Sequence, residues 1–230
     1  MQFIYKYINM EMTHQINQFY DIRHVLYINL DSRIDRRNHF ESEFNKIGLQ
    51  TQRFQAIQQD DGAVGCSMSH IACLELAIKN NWDHVLICED DATIVNPGQL
   101  VYQVNQFFKK FGDHWDVLLL AGNNYQPFRQ MSPECIRVAN CQTATAYLVR
   151  SHYFHTLLHN FKKGLNGLIT TRDQTAYAID QHWKHLQRMH RWYLITPISI
   201  IQRNDYSNIC KQHVDYRKEM LTVNKKWYGS

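Results

Sequence analysis

At 230 residues the chain is long enough for one large domain or two small ones, burying roughly 70–75% of its unfolded surface. Its composition is ordinary for a globular protein, 44% hydrophobic and 13% aromatic, and the formal net charge of +4 comes from interspersed acids and bases. That is a mild bias towards anionic ligands and not the footprint of a nucleic-acid binder. No window approaches the ~20 apolar residues a membrane span needs. Met1 to Tyr20 lacks the basic, apolar and small-residue order of a signal peptide, so a cytoplasmic location is expected. Six cysteines are scattered without a C-x-x-C pair, which fits reduced, packed thiols.

In chain order, residues 1–22 read as an N-terminal extension and residues 23–230 as one continuous domain. His24 to Leu30 predicts the first core strand. Ser32 and Asp35 have capping-box spacing for a helix, which Phe40, Phe44 and Ile47 continue as one apolar stripe until Gly48. Arg33, Arg36 and Arg37 therefore fall near the helix start, where cations oppose the macrodipole. Two readings fit: an anion site, or arginines that merely solvate the helix.

Arg53 to Ile57 predicts a short second strand. Gly62 to His70 reads as a small-residue turn opening a helix, with Ser67 or Ser69 as its cap and a buried face of Ile71, Leu74, Ala77 and Ile78. Val85 to Cys88 is a doubly buried strand running into Glu89, Asp90 and Asp91. Three adjacent carboxylates repel one another, so they fit either a cation site or a solvated turn. Further helices are predicted over 100–111, from Ser151 through Phe161, and from Thr171 or Asp173 to about Met189. Further strands are predicted over 116–120, 144–149, 192–196 and 198–201, before a polar tail. This alternation predicts an α/β fold with a mixed, mostly parallel central sheet.

The phosphate-loop, dinucleotide, zincin and nucleophile-elbow motifs are absent. His155 with His159, and His182, His185 and His190, read as surface or partly packed side chains without a completing ligand. What remains is arginines, a small-residue segment and an acidic triplet, all converging on the carboxyl edge of a parallel sheet. Acids that attract a cation beside arginines that attract an anion suggest a metal–diphosphate ligand, meaning a nucleotide or nucleotide sugar.

These segments, in order, resemble the motifs of glycosyltransferase family 25: Tyr27 to Arg37, Arg53 to Ile57, Gly65 to His70, Val85 to Asp91, Trp115 to Leu120 and Ala146 to Val149. Asp180, Pro197, Gln202 and Ser207-Asn208-Ile209 resemble weaker markers, with Asn208 where the family has aspartate. The resemblance implies a GT-A-type (Rossmann-like) domain that uses Mn²⁺ or Mg²⁺ to transfer a hexose, galactose or glucose, from a UDP-sugar. The acceptor would be a hydroxyl on a glycan or on hydroxylysine-containing protein, and the reaction inverting. It implies Glu89 and Asp91 as metal ligands, and Asn29, Leu30, Arg33, Arg36, Arg37, Ala56, Gly65, Ser69, His70 and Asp90 around the nucleotide sugar. Asp180 is the candidate catalytic base, with Asp173 and Asp116 as rivals. A nucleotidyltransferase acting on sugar phosphates and a non-catalytic nucleotide-sugar-binding module are the alternatives. No nucleic-acid partner is expected, and the oligomeric state is left open.

Overall fold

The computed structural model describes residues 16–207 and 212–226. The first half of the chain runs β1 (Val25–Asn29), α1 (Ile34–Asn45), β2 (Gln52–Gln55), α2 (Gly62–Lys79), β3 (His84–Glu89), β4 (Ala92–Ile94), α3 (Pro97–Phe111) and β5 (Val117–Leu119). Short strands follow: β6 (Asn123–Asn124), β7 (Phe128–Ser132), β8 (Cys135–Val138) and β9 (Cys141–Gln142), then β10 (Ala146–Arg150) and α4 (Phe154–Thr171). The chain continues through α5 (Gln174–Tyr177), α6 (Ile179–His182), α7 (Lys184–Met189), β11 (Trp192–Ile195), β12 (Ile200–Gln202), β13 (Asp205–Ser207), β14 (Gln212–Val214) and α8 (Arg217–Leu221).

Eight strands form the central sheet in the order β2-β1-β3-β10-β5-β11-β8-β7. Parallel pairing joins β2, β1 and β3, and joins β5 to β11, whereas β10 and β8 run against their neighbours. Six strands thus point one way and two the other, so the fold is α/β with a mixed, mostly parallel sheet. Cross-strand register assigns the faces. Tyr27, Cys88, Ala146 and, two residues on, Leu148, Leu118 and Tyr193 share one face. There Tyr27 stacks on Phe40 of α1, and Tyr193 meets Phe107 and Phe111 of α3. Tyr147 and Trp192 point the other way, Tyr147 against His70 of α2 and Phe161 of α4. Helices therefore cover both faces, which is why Val85 to Cys88 of β3 are apolar and wholly buried.

Several boundaries differ from expectation for identifiable reasons. Arg33, not Ser32, occupies the N-cap of α1 and makes no side-chain cap. Its guanidinium grips the Asp35 carboxylate through Nε (2.9 Å) and Nη2 (3.0 Å), so Asp35 does not reach back to Ser32 as a capping box requires. Gly62 to His70 is already helix: Asp61 caps α2 by accepting the Ala63 and Val64 N–H groups, which leaves Ser67 and Ser69 inside it. The helix expected from Ser151 is a 3-10 turn that passes into a longer α4, and the region to Met189 divides into α5, α6 and α7, with Asp173 capping the first. Ile16, Phe19 and Ile22 are buried in the same core as the sheet; residues 1–15 lie outside the described residues. So do Asn208, Ile209 and Cys210, while the other five cysteines carry free thiols. The polar tail contains β13, β14 and α8, and β12 pairs with β4 beside the acidic triplet.

Candidate active site

The carboxyl ends of β1, β2 and β3 share one edge of the sheet, because Asn29 pairs with Gln55 and Ile28 with Glu89. Where adjacent parallel strands end, the helices leave a crevice. Here it is a cavity of about 390 Å³, lined by Leu30, Arg33, Arg36, Ala56, Gly65, Ser69, His70 and all three acids of the triplet. Cys66, Gln202 and Ser207 also line it. Of the residues singled out from the sequence, Asn29, Arg37 and Asp180 lie off its wall.

The three carboxylates are not equivalent. Asp90 is buried with both oxygens engaged: Arg36 Nη1 donates to Oδ1 (3.0 Å) and Asn29 Nδ2 to Oδ2 (2.7 Å). Asn29 is itself filled by Arg53 Nε on its Oδ1 (2.9 Å), so it braces the triplet from behind the cavity. Asp91 receives Arg36 Nη1 on Oδ2 at 3.3 Å, but its Oδ1 is buried without a hydrogen-bond partner. Glu89 accepts Gln202 Nε2 on Oε2 (3.3 Å) and turns Oε1 towards His70 Nε2 (3.7 Å) and Cys66 Sγ (3.9 Å). Burial, and then the charge of Glu89, push the Asp91 carboxyl up to about 8 against the pull of Arg36. Burial raises the Asp90 carboxyl as well.

The arginines find their anions within the protein. Arg36 also donates to Asp205 Oδ2 (3.0 Å) and to the Tyr206 carbonyl, and Arg33 Nη2 reaches the same Asp205 oxygen at 2.7 Å. Burial lowers the pKa of Arg36, but Asp91 and Asp90 outweigh it and hold the guanidinium firmly charged. Arg37 is half exposed and pairs with Glu41 four residues on, a surface i,i+4 contact away from the cavity. Asp205 was not visible as a site residue, because it lies far along the chain. It arrives through β12, which places Gln202 opposite Ala92 and lets the Arg203 N–H reach the Asp91 carbonyl (2.7 Å).

Across the edge, Asp180 is held by the Thr143 N–H on Oδ2 (2.9 Å), and burial raises its carboxyl. Of its rivals, Asp116 is buried under Arg191 and His152, a structural clamp between β5 and β11. Asp173 is the exposed cap of α5. His155 and His159 are exposed on α4.

Gly65 shows why a small residue is needed beside the cavity. A Cβ there would stand 2.6 Å from the Ile57 carbonyl oxygen and 3.2 Å from the Gln59 nitrogen. The same contact is stapled by Ser69 Oγ, which accepts the Ile57 N–H and donates to the Gly65 carbonyl, each at 2.8 Å. Gly65→Val is expected to cost about 1–3 kcal/mol in urea denaturation by displacing the 57–59 segment, and to weaken nucleotide binding as the cavity wall moves.

The sequence profile of glycosyltransferase family 25 (LPS biosynthesis protein) matches residues 60–183, more than half of the chain. The chain belongs to glycosyltransferase family 25. The matched segment of this family 25 chain carries Gly65 to His70, the acidic triplet and Asp180. A Haemophilus influenzae protein named as a glycosyltransferase is 24% identical over 169 residues, 60% of this chain and 58% of the relative's length. Among solved structures, a glycosyltransferase involved in glycosylation of the major capsid of PBCV-1 shares 8% identity over 90% of this chain and 93% of its own, with a TM-score of 0.49. Drosophila β-1,4-galactosyltransferase 7, crystallised with manganese, UDP-galactose and xylobiose, shares 11% identity over 91% and 82%, at 0.43. A UDP-glucose pyrophosphorylase complexed with UDP-glucose shares 9% over 75% and 72%, also at 0.43. At these scores the structural likenesses do not choose between sugar transfer and nucleotide transfer. Among the described residues no helix is long and apolar enough to cross a membrane.

Proposed function

We propose that this family 25 chain is a divalent-cation-dependent glycosyltransferase that moves a hexose, galactose or glucose, from a UDP-sugar to a hydroxyl on a glycan or protein. The observation that carries the reading is a set of buried polar atoms without partners on residues that line the cavity: Asp91 Oδ1, His70 Nε2 and Gln202 Oε1. Buried polar atoms left unpaired are costly, and ones that share a cavity with three carboxylates suit a bound cation and polar ligand. Glu89 and Asp91 would hold Mn²⁺ or Mg²⁺, since Asp90 has no oxygen to spare. The cation would neutralise the diphosphate and so stabilise the leaving group.

The protein's own groups divide the remaining work. Leu30, Ala56 and Gly65 offer the nucleoside a close apolar wall, with Ser69 fixing that wall in place. Arg33 and Arg36 give the acidic edge a compensating positive charge, and Asp90 locks Arg36 to β3. Asp180 would take the proton from the acceptor hydroxyl in a single inverting displacement, because its raised carboxyl lies nearer the pH at which a general base works well.

Product analysis tests the reading. With Mn²⁺, UDP-galactose or UDP-glucose and a panel of hydroxyl acceptors, free UDP and a glycoside are expected. Formation of nucleotide sugar and pyrophosphate from a nucleoside triphosphate and sugar phosphate would instead mark a nucleotidyltransferase. UDP binding with no turnover would mark a binding module. Asp180→Asn is expected to lower kcat by about 10²–10⁴-fold with UDP affinity unchanged, since Asp180 lies off the cavity wall. Unaltered turnover would place the base elsewhere.

A further inference from the structure

Cys66 and His70 stand four residues apart on α2, so their side chains project from one helical face, one turn apart. Glu89 reaches them from the end of β3, and Sγ, Nε2 and the carboxylate oxygen lie within 4.8 Å of one another. This is the one group of three or more cysteine, histidine or acidic side chains among the described residues whose ligand atoms converge in this way.

Two features set this group apart from a chance cluster. His70 is fully buried, and its Nε2 has no hydrogen-bond partner although it faces Glu89. Its other nitrogen, Nδ1, is held by Tyr147 Oη at 2.7 Å. A partner on the far ring nitrogen is how metal-ligating histidines are oriented, and Gln202 similarly steadies the free oxygen of Glu89. The separations also fit. Tetrahedral ligands on bonds of about 2.0–2.3 Å stand roughly 3.3–3.8 Å apart, close to the 3.7 Å and 3.9 Å observed from Glu89.

We infer that the cation held at Glu89 is also ligated by His70 Nε2 and Cys66 Sγ, which makes this a site for a thiophilic, zinc-class divalent ion. The inference rests on the reading that a divalent cation sits at Glu89, and it changes the chemistry of that ion. A set of thiolate, imidazole and carboxylate prefers Zn²⁺ or Co²⁺ over Mg²⁺ or Ca²⁺. All three residues line the cavity beside Asp91, so with Asp91 as the fourth ligand the donor diphosphate would enter as a fifth, an expansion that zinc-class ions accept. On binding, the metal–sulfur bond replaces the S–H bond of Cys66, and that proton leaves to solvent.

The test is titration of CoCl₂ into the full chain after chelator treatment, followed by absorption spectroscopy and by competition with ZnCl₂ and MgCl₂. The expected result is a thiolate-to-cobalt charge-transfer band in the near ultraviolet, a proton release that Cys66→Ser reduces by one, and displacement by Zn²⁺ but not by Mg²⁺. Cys66→Ser should abolish the band, and His70→Gln should weaken cobalt binding more than tenfold. The wild-type spectrum decides the matter even if a variant fails to fold. Cobalt bound without the band, at an affinity indifferent to Cys66→Ser, would overturn this inference and leave Glu89 and Asp91 as an oxygen-only site. No cobalt, zinc or manganese binding at all would overturn the inference together with the cation reading beneath it.

Discussion

Arg36→Ala is expected to cost about 3–5 kcal/mol of stability at neutral pH, the range for removing one partner of a buried ion pair. Arg36 is the shared cation of Asp90, Asp91 and Asp205, and its side chain is only 14% exposed. Without it, three largely buried carboxylates face one another, and of the three only Asp205 keeps ion pairs, with Arg33 and Arg203. The pH dependence follows from the sign of the change. Carboxyls that lose a cation bind protons more tightly when folded, so the folded variant holds more protons than the unfolded chain above about pH 4. Its stability should then fall as pH rises, and the deficit against wild type should be larger at pH 8 than at pH 5. Urea denaturation at both values checks this. An equal deficit at both, or one below about 1 kcal/mol, would show that the carboxylates do not depend on Arg36. Arg36→Lys should recover only part of the loss, because a point charge does not reproduce the fork that spans Asp90 and Asp205.

Asp91→Asn is expected to stabilise the metal-free protein while removing cation-dependent nucleotide binding. The Asp91 carboxyl stands at about 8 in the folded protein, against an ordinary value of 3.8. Between those values the folded form keeps a proton that the unfolded chain has released, so wild-type stability contributed by this group falls as pH rises, with a slope of up to about 1.4 kcal/mol per pH unit. Asparagine has no such titration, and the slope should flatten across pH 4–8. A divalent cation competes with that proton, so Mn²⁺ should stabilise wild type more at pH 8 than at pH 5 and leave the variant unmoved. The affinity for UDP in the presence of Mn²⁺ should fall by more than the about 10–100-fold typical of groups that only orient a metal ligand. Thermal unfolding at several pH values and calorimetric titration of UDP read the two effects separately. An unchanged slope together with unchanged UDP affinity would remove Asp91 from the site.

Much of this organisation is legible in the sequence where the local pattern and the tertiary demand agree. Val85 to Cys88 is apolar because helices cover both faces of β3, and a sheet that buries such a strand places Glu89, Asp90 and Asp91 at its carboxyl edge. Leu30, Ala56, Gly65, Ser69 and His70 come together because each follows or faces a parallel strand whose carboxyl end is on the same edge. What was not legible depended on side chains choosing between partners. Ser32 with Asp35 has capping-box spacing, but Arg33 takes the carboxylate first. The clustered arginines fit either an external anion or a solvated helix start, yet Asp205, more than 160 residues later in the chain, supplies an anion from within, and Arg37 turns away to Glu41. Cys66 and His70 show their i,i+4 spacing openly. Their convergence with Glu89 becomes meaningful only once α2 lies on β3 and Tyr147 fixes the imidazole.

The most direct test is a calorimetric titration of UDP into the wild-type chain with and without a saturating divalent cation, repeated as a cation titration with and without UDP. If Glu89 and Asp91 hold a cation that contacts the diphosphate, each ligand must tighten the other by the same factor, expected to exceed tenfold, and Asp91→Asn must abolish that linkage. UDP binding with equal affinity whether or not cation is present, in wild type and variant alike, would contradict a metal–diphosphate site at the end of β3.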